Sequence, residues 1–258
     1  AVPRAPPGTV DALPASALAP GRGGREAAWH SAAAGYRSYA ATAQVAADSA
    51  AVPAGDTESE ALMATADSNV ASLGGAIAGR VRRTGRATVQ SISSKAAYQA
   101  IKAMVNADDY LAQDADAPSG ARLASVFSER SVAVEGDADA RRTVLVIEAS
   151  RFTPPPCDEA PRELVVSAKT NAGKAAAAMA SACRAREGGG PAALVRAMGA
   201  VAVHQALISA AIAQQYLDND GRGVKFVTIP GFEDYRPDGP GTNRKMKQMV
   251  LSLVRVAG

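Results

Sequence analysis

Bulky side chains are scarce in this 258-residue chain: four Phe, six Tyr and one Trp make it only 4% aromatic, against 47% hydrophobic residues overall. Alanine fills the gap at roughly a quarter of the chain, well above ordinary usage. Most of its apolar side chains are therefore single methyl groups. Apolar burial contributes about 25 cal/mol per Å², so Ala-rich helices must approach closely and still gain modestly per residue. The composition predicts a protomer that leans on neighbouring copies. Cysteine is nearly missing too. Cys157 and Cys183 have no CxxC spacing, which excludes a disulfide framework and points to a reducing compartment. With His30 and His204 as the only histidines, a zinc centre is not expected, and no cofactor site is read. Long apolar runs are also lacking. The nearest, residues 197–213, is mostly alanine with His204 and Gln205 inside it, short of the about 20 strongly apolar residues of a span. No membrane association is expected, and the first residues lack the basic and apolar regions of a signal peptide.

What is present is charge in blocks. Asp48, Asp56, Glu58, Glu60 and Asp67 run without a base, and Asp108, Asp109, Asp114 and Asp116 form a second acidic block. Between them Arg80, Arg82, Arg83, Arg86, Lys95 and Lys102 run without an acid, and Arg244, Lys245, Lys247 and Arg255 lie near the end. Patches of both signs suit self-assembly as well as a polyanion.

Residues 1–25 hold several Pro and Gly, no sustained periodicity, and Arg4, Arg22 and Arg25; they read as an extended basic arm. Residues 26–229 read as a folded core and 230–258 as a loop and C-terminal arm. A helix is predicted after residue 26, carrying Trp29, Tyr36 and Tyr39. Thr57 and Glu60 match a capping box, followed by Leu62, Ala66, Val70, Leu73, Ile77 and Val81 at helical spacing and a stop at Gly85. A second helix is predicted over 87–112. The period then changes, and 131–150 reads as a hairpin, with 162–170 as a third strand. Asn171 caps an Ala-rich helix, Pro191 opens a longer one to Leu217, 224–229 reads as a strand, and 244–257 is left open between helix and strand. No repeat at solenoid spacing is found. The fold class expected is α+β and predominantly helical, with a small central antiparallel β meander over 131–170 and extended N- and C-terminal segments.

No catalytic constellation emerges, and the chain is not expected to be an enzyme. The stretch Ser167–Ala176 imitates a phosphate loop but lacks its first glycine and has Ala175 where a metal-binding hydroxyl belongs. His204 lies on an apolar helix face, and Cys183, beside Arg184 and Arg186, has no placed histidine to activate it. Asp108 with Asp109, and Glu233 with Asp234, are sequence neighbours that point apart. A polyanion reading remains. Its candidate contacts are Arg80, Arg82, Arg83, Arg86 and Lys95, then Arg244, Lys245 and Lys247, then Arg4, Arg22 and Arg25. Such cations hold phosphate without reading sequence. The alternatives are a helix end whose cations complement the dipole, or a protein-only scaffold in which the basic corner meets a neighbour's acidic block.

The arm "AVPRAPPGTVDALPASALAP" and the Pro-, Ala- and Ser-rich composition resemble the proline-alanine-serine-rich proteins of polymycoviruses, fungal double-stranded RNA viruses. The design is also similar to the flexible filamentous coat proteins of plant viruses. The resemblance implies a structural coat that self-assembles through its arms, coats an RNA genome without sequence specificity, and resides in the virion and the host cytoplasm.

Overall fold

The computed structural model describes residues 61–134, 137–157, 159–187, 189–235 and 246–256, with the backbone alone at 133–134 and 137–140. In chain order its elements are β1 (Leu62–Ala64), α1 (Val70–Thr84), β2 (Arg86–Ser91), α2 (Ser94–Ala112), β3 (Arg122–Val134), β4 (Asp137–Phe152), β5 (Arg162–Val166), α3 (Ala172–Ala185), β6 (Gly190–Ala197), α4 (Ala200–Asn219), β7 (Lys225–Tyr235) and β8 (Met246–Val256). The eight strands form one mixed sheet in the order β1-β2-β4-β3-β7-β8-β6-β5. This corrects the expected fold class: helix and strand are about equal, and the sheet spans the described structure instead of a small meander.

The corrections have local causes. The helix expected over 87–112 does not begin there: Gly85 turns the chain with φ 74° into β2, where Ala87, Val89 and Ser91 alternate inward. An Ala/Val/Thr run this short fits either period, and sheet pairing decides it. Likewise Pro191 does not open a helix; it lies in β6, and α4 begins only after Gly199 at φ 83°. The C-terminal segment is not extended and free, since β8 is hydrogen-bonded between β7 and β6. The expected helix from 57 is replaced, over the described residues, by β1 and by α1 starting after Asn69. Thr57, Glu60, the arm over 1–25 and the helix after 26 lie outside the described residues.

The four helices cover one face of the sheet. Val89, Phe127, Ile147, Val195, Phe226 and Leu251 rise from the strands to meet Ile77, Met104, Met179 and Leu207 in one continuous core. Alanine lets these layers come close: Ala97, Ala100, Ala103, Ala107, Ala206 and Ala213 are wholly buried. The opposite face carries a separate small cluster of Ala124, Ile229 and Val254, with Phe152 and Val227 against it.

The second six elements repeat the first. In each half a parallel pair (β1 with β2, β5 with β6) is followed by an antiparallel neighbour (β4, β8), which closes a hairpin with the inner strand (β3, β7). The halves join where β3 meets β7 antiparallel, with Ser125 opposite Thr228. There Ser125 Oγ donates to the Thr228 carbonyl at 3.2 Å, and Thr228 Oγ1 donates to the Ser125 carbonyl at 2.7 Å. This reciprocity marks a pseudo-two-fold axis perpendicular to the sheet. Across it α2 reaches β7, α4 reaches β3, and the two helices pack together. The two halves share one continuous core. The corresponding residues stand about 100 positions apart, beyond the about 20–50 residues of solenoid periods.

Candidate nucleic-acid interface

The arginine cluster begins in the last turn of α1, which Gly85 closes by donating its amide to the Val81 carbonyl. Arg82 does not project as a free corner. Its guanidinium holds Asp114 through Nε at 3.1 Å and Nη2 at 2.7 Å, while Nη2 also donates to the Tyr110 carbonyl at 3.0 Å. Arg151 meets the same carboxylate from the end of β4. The second half repeats the clasp with Arg184 on Asp220. Arg82 thus ties the end of α1 to the end of α2. Two acids of the 108–116 block, Asp108 and Asp114, are occupied by Arg122, Arg82 and Arg151 of the same chain.

The Arg82 hydrogen bond, aided by Arg151, holds the Asp114 carboxyl below its ordinary range against the opposing effect of desolvation. A carboxyl depressed in the folded state stabilises above its unfolded pKa, and that contribution is lost as pH falls through the folded value. The native chain is therefore expected to be more stable than Asp114→Asn at neutral pH. Urea unfolding should show the difference closing as pH drops below the ordinary carboxylate range.

Arg80 is half-buried and engaged, whereas Arg83 and Arg86 are exposed. By strand alternation Arg86 stands on the sheet face opposite the helices. Lys95, in the first turn of α2, is exposed. Lys247 pairs with Asp234 at 2.7 Å. Arg4, Arg22, Arg25, Arg244 and Lys245 lie outside the described residues. The expected set is therefore not one patch: Arg82 is structural, Arg83 and Arg86 sit at the ends of α1 and β2, and Lys95 sits at a helix start.

Lys169 and Lys174, in the stretch set aside as a phosphate-loop imitation, stand in the second half where Asp67 and Ser72 stand in the first. The loops Thr65–Asn69 and Ser167–Asn171 are built alike: the Thr65 amide donates to Ser68 Oγ and the Ser167 amide to Thr170 Oγ1, both at 2.8 Å. Asn69 and Asn171 then cap α1 and α3, each accepting a backbone amide at 3.0 Å. Gln99 of α2 and Gln205 of α4 donate to carbonyls of these loops. No acid stands in the first turn of any of the four described helices. Lys95 and Lys174 stand there instead, where the dipole disfavours a cation by about 0.3–1 kcal/mol. The signal was in the sequence: Ser-Ala-Lys-Thr-Asn repeats Thr-Ala-Asp-Ser-Asn with a lysine exchanged for an acid. The β3–β4 hairpin runs on past β2 and exposes Arg130, Arg141 and Arg142, though Glu135, Asp137 and Asp139 lie in the same segment of sequence.

The catalytic candidates sit in structural settings. His204 is half-buried, and burial lowers its pKa. Cys183 is fully buried, and desolvation pushes its thiol up to about 12 despite Arg255 and Arg184 nearby. Asp108 accepts the Leu123 amide at 2.6 Å and Arg122 Nε at 2.7 Å. Glu233 joins Arg196, which also holds Glu163. Among the described residues no group of three or more His, Cys, Asp or Glu is placed to hold a metal, and no helix is long and apolar enough to cross a membrane.

Residues 60–140 match the family of stage V sporulation protein S (SpoVS), and residues 162–252 match it again. The chain belongs to the SpoVS family. The two matches fall on the two halves of the pseudo-two-fold, so the fold is a tandem pair of SpoVS units. No curated protein matches the chain. Membership overturns the resemblance to polymycovirus proline-alanine-serine-rich proteins and to filamentous coats. With it go the coat function, the double-stranded RNA virus assignment and the placement in a virion within a host cytoplasm. That resemblance rested on composition, and in this SpoVS pair the alanines serve close packing of helices on a sheet.

Proposed function

We propose that the chain serves sporulation as a non-catalytic protein that grips the phosphate backbone of nucleic acid without reading its sequence. Family membership supports the sporulation context. The observation that carries the partner is cationic: Lys95, Lys169 and Lys174 are exposed and make no ion pair among the described residues. Two of them sit at helix starts, where a bound anion would offset the local dipole cost. Phosphate neutralised by such side chains releases counterions, so binding falls steeply with salt and tolerates any sequence.

Fluorescence anisotropy with a labelled duplex DNA tests this. The native chain is expected to bind at about 50 mM salt, with an affinity that falls log-linearly as salt rises. Lys95→Glu/Lys169→Glu/Lys174→Glu should lose at least about thirty-fold and flatten the salt slope by about three. An unbound native chain, or a triple variant that binds like it, contradicts the proposal.

A further inference from the structure

The sheet face turned away from the helices leaves apolar side chains to water. Seven large hydrophobic residues are exposed among the described ones, and four of them, Met63, Val132, Val165 and Tyr235, stand on this face at 40–74% exposure. Strand alternation places them there. Met63 pairs with Gln90, out of step with the inward Ala87, Val89 and Ser91, and Val165 pairs with Arg196, out of step with the inward Val195. Val132 and Tyr235 stand an odd number of residues along β3 and β7 from Phe127 and Phe226, which point into the core. The four surround the small cluster of Ala124, Ile229 and Val254.

They form two equivalent pairs. From Met63 the pairings run through Gln90 and Val146 to Ser128, and from Val165 through Arg196 and Val250 to Gly231, each three residues past Ser125 or Thr228 on the axis. Val132 and Tyr235 each lie seven residues past the same points. A lone exposed valine needs no explanation, whereas a set repeated by both halves on one face marks a surface built to be covered. A partner that serves both halves alike has to carry the same two-fold, and a second copy of the chain does.

Charge on the face fits that partner. Arg130 lies five residues past Ser125 and Glu233 five past Thr228, so the two-fold sets an exposed cation and an exposed anion at equivalent positions. A second copy turned over about an axis across the strands lays its Glu233 end of β7 on the Arg130 end of β3, and the same operation brings its Arg130 onto the first copy's Glu233. Glu233 touches its own Arg196 at only 3.5 Å, which leaves room for a second cation. Val132 and Tyr235 lie two residues further along those strands and meet as well. Arg86 and Glu148 stand on either side of the row formed by Ala87, Ala149 and Ser125, so the turn also brings each to the level of the other copy's opposite charge. The strands of the two sheets then run nearly aligned, as stacked sheets prefer.

We propose that the helix-free face binds a second copy of this chain, with Arg130 of each copy on Glu233 of the other and Val132 packed on Tyr235.

Sedimentation of the nucleic-acid-free full chain tests this. A dimer of twice the 26.2 kDa chain is expected at about 10 µM, within the affinity range of a standard-sized interface. Val132→Glu/Tyr235→Glu, with native far-ultraviolet dichroism, should weaken it at least about a hundred-fold. Arg130→Glu and Glu233→Arg should each weaken it at least about ten-fold, and the two combined should restore it to within about three-fold of the native chain. A native chain that stays monomeric at every concentration overturns the inference in favour of a cover from within the chain. A dimer that keeps its strength in Val132→Glu/Tyr235→Glu, or a double charge exchange no tighter than the single ones, overturns it as well.

Discussion

Asp108→Ala is expected to lower the free energy of unfolding by about 2–4 kcal/mol in urea titration, more than any surface charge change in the molecule. The residue is 6% exposed and its side chain takes two donors from the start of β3. Arg122 is partly solvated and can turn to water. The Leu123 amide cannot: its residue is 1% exposed, and truncation strands that N–H without an acceptor. Asp108→Asn keeps an acceptor at the same point, so it should cost less than half as much. The other half of the chain supplies the natural comparison, because Gln214 Oε1 accepts the Phe226 amide at the related position. That contact is longer, 3.4 Å, and neutral, so Gln214→Ala should cost about 1–2 kcal/mol. Equal losses at the two positions would contradict this account of how helix ends are clipped to the inner strands.

The second large effect comes from two adjacent glycines in α1 with opposite expected signs. A Cβ on Gly74 would stand 2.9 Å from the Ala103 carbonyl oxygen and 3.0 Å from Asn106 Cβ, so α1 and α2 would have to separate. A Cβ on Gly75 meets nothing within 4 Å. Helix propensity favours alanine over glycine by about 1 kcal/mol at both positions. Gly75→Ala should realise most of that gain and raise the melting temperature. Gly74→Ala should lose it to overpacking, with a net destabilisation of about 1–2 kcal/mol that grows with Gly74→Val. Thermal unfolding followed by circular dichroism reads both, and a stabilising Gly74→Ala would show that the helices are less closely packed than described.

These cases show where the sequence is legible. Gly85 as a helix stop and Asn171 as a cap rest on backbone chemistry a few residues wide, and the structure places them as expected. β2 and β6 were hidden because Thr88, Val89 and the Ala-rich run after Pro191 satisfy helix and strand patterns alike, and only pairing with β4 and β8 separates the two. The arginine cluster was visible as a run without local acids, but its partner Asp114 lies 32 positions away and arrives only through the turn after α2. The repeat was hidden by divergence. Asn69 and Asn171, Gln99 and Gln205, and Arg82 and Arg184 keep their roles, while Tyr98, which packs edge-on against Phe232, has His204 at the corresponding place in α4.

A cysteine pair at Ser125 and Thr228 tests the two-fold joint most directly. Residues opposite each other in an antiparallel ladder have Cα atoms about 4.5–5.5 Å apart, within disulfide reach. With Cys157→Ser in the background, oxidised Ser125→Cys/Thr228→Cys protein should yield, by peptide mass mapping, one disulfide joining the two halves within a single chain. Free thiols at both positions under oxidant, or a bond formed only between chains, would contradict the antiparallel joint through which the tandem halves meet.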